Sequence, residues 1–341
     1  MDLTTAYLGL TLRSPLVASA SPVTSRLDRL RMVEDAGVGA VVLPSLFEEQ
    51  VRQQELADLE LTERHEHAWG EAQSYLPGGP DVDLGGTAPY LRHVERAAAA
   101  LEIPVIASLN GSTPGGWTGI ARSMETAGAA AIELNVYAVP GRTSLTGAEV
   151  EARHLDIVGD VVAAVSVPVA VKLSPYFSST AAVAAAIVEA GASGLVLFNR
   201  FVQPDVDVEA LTVHPYPTLS TRDEGRLART WIALLHGRLG VASLAATTGV
   251  ETAEDVAADL LAGADVVMSA SALLRHGPGY AVDLTAGLQA WAERKGFASL
   301  DAVRGALAVG VDADGDRVER AGYVAALAQA RAVYGDLTVE S

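Results

Sequence analysis

The chain contains no cysteine. Disulfides, thiolate metal sites, Cys-ligated iron–sulfur clusters and cysteine nucleophiles are therefore excluded within it. Aromatic residues make up only 5% of its 341 residues, although half are hydrophobic, with alanine abundant. Short aliphatic strands packed by small-residue helices suit that mixture better than an all-β fold. Basic residues are scarce too, with 24 Lys and Arg against 42 Asp and Glu, a formal charge of −18. Such a chain repels nucleic-acid phosphates and anionic membrane surfaces at long range, so neither is expected as a partner. No apolar run reaches membrane-spanning length, and Met1-Asp2-Leu3-Thr4-Thr5 begins no signal peptide. A cytoplasmic protein is expected.

What is present is a recurring unit. EDAGVGAVVLP (34–44), ETAGAAAIELN (125–135), VEAGASGLVLFN (188–199) and LLAGADVVMSA (260–270) each close an alanine-rich helix on Ala-Gly and pass directly into a β-rich run. Glycine caps a helix in the left-handed conformation at low steric cost. With LVASA, PVIASL, PVAVKL and VASLAAT, the apolar runs number eight: 16–20, 40–44, 104–109, 130–136, 168–173, 194–199, 241–247 and 266–270. They are continuous rather than alternating, as strands buried on both faces are. An α/β fold of one domain over 1–341 follows, a (β/α)8 TIM barrel, with an open doubly wound sheet as the alternative. The long connections after the second and sixth runs read as insertions at the strand ends where barrel enzymes build their sites. The tail from about 284 reads as helices.

Chemistry-bearing residues gather at those strand ends. Lys172 closes the fifth run, where an ammonium stabilises developing negative charge or forms a Schiff base. Asn135 and Asn199 end the fourth and sixth runs and offer paired donors and acceptors, or cap loops. Glu133 shares the facing of Asn135. AATTGVETAEDV (245–256) and SASALLRHGPG (269–279) place Thr248, Gly249, Ala270 and Ser271 at helix starts, where backbone N–H groups grip phosphate or the hydroxyls serve as ordinary caps. Arg275 lies one turn on. No metal site is expected: His65-Glu66-His67 lacks a third ligand, and VDADGDRVER lacks calcium-loop spacing.

Together these features resemble the dihydroorotate dehydrogenase family, from Leu3 to about Gly279. The carrying runs are LTTAYLGLTLRSPLVASASP, AIELN, PVAVKLSP and TGVETAEDVAADLLAGADVVMSASALLRHGP. The resemblance implies an FMN cofactor, a role in pyrimidine biosynthesis and a homodimer. It implies Lys172 at the pyrimidine edge of the flavin, Asn135 and Asn199 beside flavin or substrate, and Ser19, Ala20 and Ser21 along the isoalloxazine. Ser220 and Thr221 fall near the flavin, while Thr248, Gly249, Ala270 and Ser271 hold its phosphate. Departures accompany the likeness. The loop after the fourth run reads Asn135-Val136-Tyr137-Ala138-Val139-Pro140, so alanine stands where the family carries its Cys or Ser base. Leu43-Pro44-Ser45 replaces an expected lysine, and Gln73-Ser74-Tyr75-Leu76-Pro77 is a reduced substrate loop.

The resemblance thus implies an FMN-dependent oxidoreductase acting on CH–CH groups of dihydroorotate or a different small redox substrate. Lys172, Asn135 and Tyr137 are its expected catalytic residues, with Ser144 and Tyr75 as further proton carriers. A non-catalytic or electron-transfer flavoprotein, working with a separate subunit, and a Lys172 Schiff-base lyase are the competing readings.

Overall fold

The computed structural model describes residues 1–51, 86–113, 115, 117–201, 203–215 and 218–335. The four Ala-Gly junctions use one device. At Gly37, Gly128, Gly191 and Gly263 φ is +92°, +98°, +102° and +119°. The next residue, Val38, Ala129, Ala192 or Ala264, donates its N–H back to the carbonyl of Val33, Met124, Ile187 or Asp259. That bond closes each helix as a Schellman turn. The residue after it already joins a neighbouring strand: Gly39 donates to Leu16, Ala130 to Val105, Ser193 to Val169 and Asp265 to Leu244. Each helix end therefore sets the register of the strand it launches.

The strands are β1 (Thr5–Tyr7), β2 (Leu10–Leu12), β3 (Leu16–Ala18), β4 (Ala40–Phe47), β5 (Val105–Asn110), β6 (Ala131–Asn135), β7 (Val169–Leu173), β8 (Gly194–Leu197), β9 (Pro204–Asp207), β10 (Thr212–Pro215), β11 (Ser243–Thr247) and β12 (Val266–Ser269). Eight of them, β3 to β8 with β11 and β12, close a parallel barrel in chain order. This is the expected (β/α)8 barrel, and each of the eight apolar runs overlaps one barrel strand. The insertions follow β4 and β8. The second contains the antiparallel pair β9–β10, which the sequence reading treated as loop.

A short hairpin, β1–β2, closes the end of the barrel where its strands begin. Leu8 and Gly9 turn it at φ of +54° and +78°, and Leu8 donates its N–H to Ser243 Oγ at 3.0 Å. Tyr7, Leu8 and Leu12 pack among the interior side chains Val17, Val42, Ile106, Val196, Val266 and Met268. Each such buried aliphatic contributes roughly 1.5–3 kcal/mol. The interior is therefore a packed core, and open space is left to the opposite end.

One irregularity adjusts that end. Between Val42 and Ser45 the β4–β5 register shifts, at Pro44, which has no N–H to offer a ladder. The Tyr90 hydroxyl, from the helix Thr87–Ala100, donates to Ser108 O at 3.1 Å and accepts from Ser108 N at 2.8 Å. A single phenol thus repairs the backbone of β5 opposite the bulge. Ser45 and Ser108 then meet through their hydroxyls at 2.8 Å.

Candidate functional site

Alternation along β6 and β7 brings Glu133, Asn135 and Lys172 toward the barrel axis. Asn135 and Lys172 are register partners, with Glu133 one row beneath. Lys172 Nζ lies 3.4 Å from Glu133 Oε1, and the side chains are 11% and 2% exposed. Two charges so far from water require each other. Glu133 Oε2 is buried without a hydrogen-bond partner among the described residues. Above the pair, Asn199 Nδ2 donates to Asn135 Oδ1 at 2.8 Å, and Asn199 N is fixed by Leu173 O at 2.7 Å.

A cleft of about 590 Å³, counting its open mouth, runs from Lys172 outward. Ser19, Ala20, Lys172, Asn199, Ser220, Thr248, Gly249, Ala270 and Ser271 all line it. Those nine sequence-selected positions come together directly. Asn135 joins through Asn199. Ser21 and Thr221 instead cap local 3-10 turns: Ser21 Oγ accepts from Val23 N, and Thr221 N donates to the Glu224 carboxylate. Tyr137 is half-buried beside Tyr176; burial, reinforced by Tyr176, raises its phenol above the ordinary value. Ser144 is exposed, whereas Tyr75 lies outside the described residues.

The far end of the cleft is a directed chain of hydrogen bonds. Gly249 N donates to Ser220 Oγ at 3.2 Å, and Ser220 Oγ donates to Ser271 Oγ at 2.8 Å. Ser271 Oγ also accepts from Ser220 N at 3.0 Å. Having accepted twice, the Ser271 hydroxyl has its own proton left to donate. That hydroxyl stands at the start of the helix Ser271–His276, whose first N–H groups have no intrahelical acceptor. Gly249 has φ +75°, and a Cβ there would meet Gly225 N at 2.5 Å and Thr221 O at 2.7 Å. Only glycine fits. Thr248 holds φ +78° despite its branched Cβ, a conformation that costs of order 1–3 kcal/mol. Arg275 is less free than its charge suggests, because it pairs with Glu251, as does His276 at 2.7 Å.

Beyond Asn199 the cleft opens into a larger outer chamber of about 1360 Å³, again counting open space. Its apolar walls include Tyr176, Phe198, Phe201 and Leu227, and its charged residues are Arg200, Asp205, Asp223 and Glu224. Tyr176 and Phe201 meet edge to face with centroids 5.7 Å apart. These residues escaped the sequence reading because they come from three separate loops. The FNRF sequence at the end of β8 was the available signal.

The family model for dihydroorotate dehydrogenase matches residues 82–291. A relative from Aeropyrum pernix, named "Putative dihydroorotate dehydrogenase A (fumarate)", is 29% identical over 89% of this chain and 97% of its own. One from Methanothermobacter thermautotrophicus, named "Dihydroorotate dehydrogenase B (NAD(+)), catalytic subunit", is 26% identical over the same shares. A "Dihydroorotate dehydrogenase (quinone)" from Deinococcus radiodurans is 35% identical over 40% of this chain and 38% of its own.

Proposed function

The chain belongs to the dihydroorotate dehydrogenase family, and from that premise we propose that it is an FMN-dependent oxidoreductase whose substrate is a small unsaturated molecule other than dihydroorotate. The observation that carries the cofactor assignment is the donor chain Gly249–Ser220–Ser271, which ends in an outward hydroxyl in the cleft that also holds Lys172. That donor set fits FMN. The Ser271 hydroxyl and the backbone N–H groups around Thr248–Gly249 and Ala270–Ser271 would hold the phosphate. Lys172 would meet the polar edge of the ring, with Ser19 and Ala20 along its wall and the Asn135–Asn199 pair beside it. Bound FMN supplies hydride exchange with an organic substrate.

The chain's own residues bear on the direction of that exchange. Dehydrogenation needs a group that takes a proton, and Ala138 cannot. Tyr137 is the nearest ionisable group on that loop, and its raised phenol remains protonated at neutral pH. A phenol in that state donates a proton rather than removes one. Proton delivery to a substrate being reduced is the role that this supports. Lys172, paired with Glu133, serves charge stabilisation, whereas a Schiff base needs a free amine.

The relative named as a catalytic subunit raises a separate electron-transfer chain as the partner proposal here. With no cysteine in this chain, thiolate iron–sulfur ligation would fall to that partner. Anaerobic titration tests the reading. The purified protein should take up FMN stoichiometrically, with its flavin spectrum unbleached by dihydroorotate. Bleaching by dihydroorotate would overturn the substrate assignment, and no FMN uptake would overturn the cofactor.

A further inference from the structure

Among the described residues, the outer chamber is lined by three carboxylates, Asp205, Asp223 and Glu224, and one guanidinium, Arg200. An arginine at the mouth of a redox site suggests a receptor for a substrate carboxylate. The hydrogen bonds of Arg200 point elsewhere. Its Nε donates to Glu224 Oε1 at 2.8 Å, its Nη2 to Thr218 Oγ1 at 3.0 Å and its Nη1 to the Thr218 carbonyl. Each of the three nitrogens donates one bond within the protein, three of the five N–H groups, and the guanidinium ties the segment after β8 to Thr218 and to the turn at 222–224. Glu224 remains ionised: burial works against its charge, but Arg200 and the Thr221 N–H outweigh it and hold the carboxyl below its usual value. Asp223 pairs outward with Arg226 at 2.9 Å, where both are exposed.

Aromatic walls complete the chamber. The edge-to-face pair Tyr176–Phe201, with Phe198 behind, presents π faces suited to a flat ring. Such faces attract cations and gain nothing from anions. The chamber shares Phe198, Asn199, Arg200, Thr247 and Thr248 with the inner cleft, so its occupant reaches the same site.

We infer that the outer chamber selects flat, neutral or cationic rings over ring carboxylates, with Arg200 a brace tied to Glu224 and not a carboxylate receptor. This inference rests on the flavin reading, since it assigns the chamber to the substrate of that reaction. The occupant's class is an unsaturated ring carrying an amide, amine or amidine in place of an acid.

Three rings of one shape separate charge from size: benzamidine, benzamide and benzoate. FMN uptake is measured first by quenching of flavin fluorescence, and each ring is then titrated into the FMN-loaded protein by calorimetry and flavin difference spectra. Benzamidine and benzamide are expected to bind about tenfold or more tighter than benzoate at low salt, with the gap narrowing as salt rises. In Glu224→Gln, which removes the charged partner of Arg200 while leaving its two bonds to Thr218, benzoate is expected to gain on benzamide. Benzoate binding tightest to the wild type, or no binding by any ring to FMN-loaded protein, overturns this inference alone. A protein that takes up no FMN overturns the flavin reading and this inference with it.

Discussion

In the inner cleft, Lys172 and Glu133 meet at 3.4 Å with side chains 11% and 2% exposed. At the rim of the outer chamber, Asp223 and Arg226 meet at 2.9 Å but are 80% and 78% exposed. The shorter contact is the weaker one. Exposed pairs contribute at most about 1 kcal/mol because water solvates both partners nearly as well apart. A buried pair gains little over an apolar replacement, yet losing one partner strands the other. The inner charges are thus locked into the fold, while the solvated Asp223 at the rim is free to influence which molecules approach. Chemistry needs the first kind of charge and selection the second.

Lys172→Met tests the locked side most severely. It leaves Glu133 buried without a countercharge, and a loss of about 3–5 kcal/mol in denaturant unfolding is expected. Adding Glu133→Gln should recover most of it. A single variant as stable as the wild type would break the comparison, since Glu133 would then have another partner. Next in size is Tyr137→Phe, which asks whether the loop after β6, beside the chamber residue Tyr176, supplies a proton. If the phenol donates, turnover of a reducible substrate should fall by about 100-fold. Because burial raises that phenol above 10, the wild-type rate should show no Tyr137 transition up to pH 9 and should decline only above 10. A transition near neutrality that disappears in the variant would rule this assignment out.

The barrel was legible because its signals are local. Each buried strand is a continuous apolar run, and the Ala-Gly pair before Val38, Ala129, Ala192 and Ala264 marks where a helix stops. The hairpin Thr5–Leu12 was not read as strands, because each has three residues and the turn Leu8-Gly9 lacks the usual Asn or Asp. The inner cleft was largely visible, since Lys172, Asn199, Thr248 and Ser271 sit at or just past strand ends, where a (β/α)8 barrel gathers its site. Ser21 and Thr221 carried a competing local signal. Ser21-x-x-Thr24 and Thr221-x-x-Glu224 are capping patterns; Ser21 Oγ caps the first turn, and at the second the Glu224 carboxylate accepts from Thr221 N and Oγ1. The outer chamber left no local trace, since Tyr176, Phe201 and Glu224 meet only through tertiary folding.

Two smaller effects probe the anion end of the cleft. Gly249→Ala forces a Cβ to within 2.5 Å of Gly225 N at φ +75°, and a loss of about 2 kcal/mol is expected. Thermal unfolding of the FMN-free protein reads it, and an unchanged midpoint would mean the turn relaxes freely. Ser271→Ala removes the terminal donor of the Gly249–Ser220–Ser271 chain. FMN should bind about tenfold more weakly, the equivalent of one charge-assisted hydrogen bond. Inorganic phosphate should protect the wild type from unfolding more than the variant. Equal FMN affinity would move the phosphate away from Ser271.

Asp223→Asn should have the smallest effect on stability and is the sharpest test of the free side. Its carboxylate is 80% exposed and its partner Arg226 is 78% exposed, so unfolding should shift by less than about 0.5 kcal/mol. FMN affinity should not move, because Asp223 lines only the outer chamber. What should change is the preference between benzamidine and benzoate, by about two- to threefold toward the acid, in an effect that fades at high salt. A charge that alters selection while leaving fold and cofactor untouched is the signature of a solvated gate. If the variant instead lost FMN, the two regions would be one site, and the distinction between locked and free charge would fail.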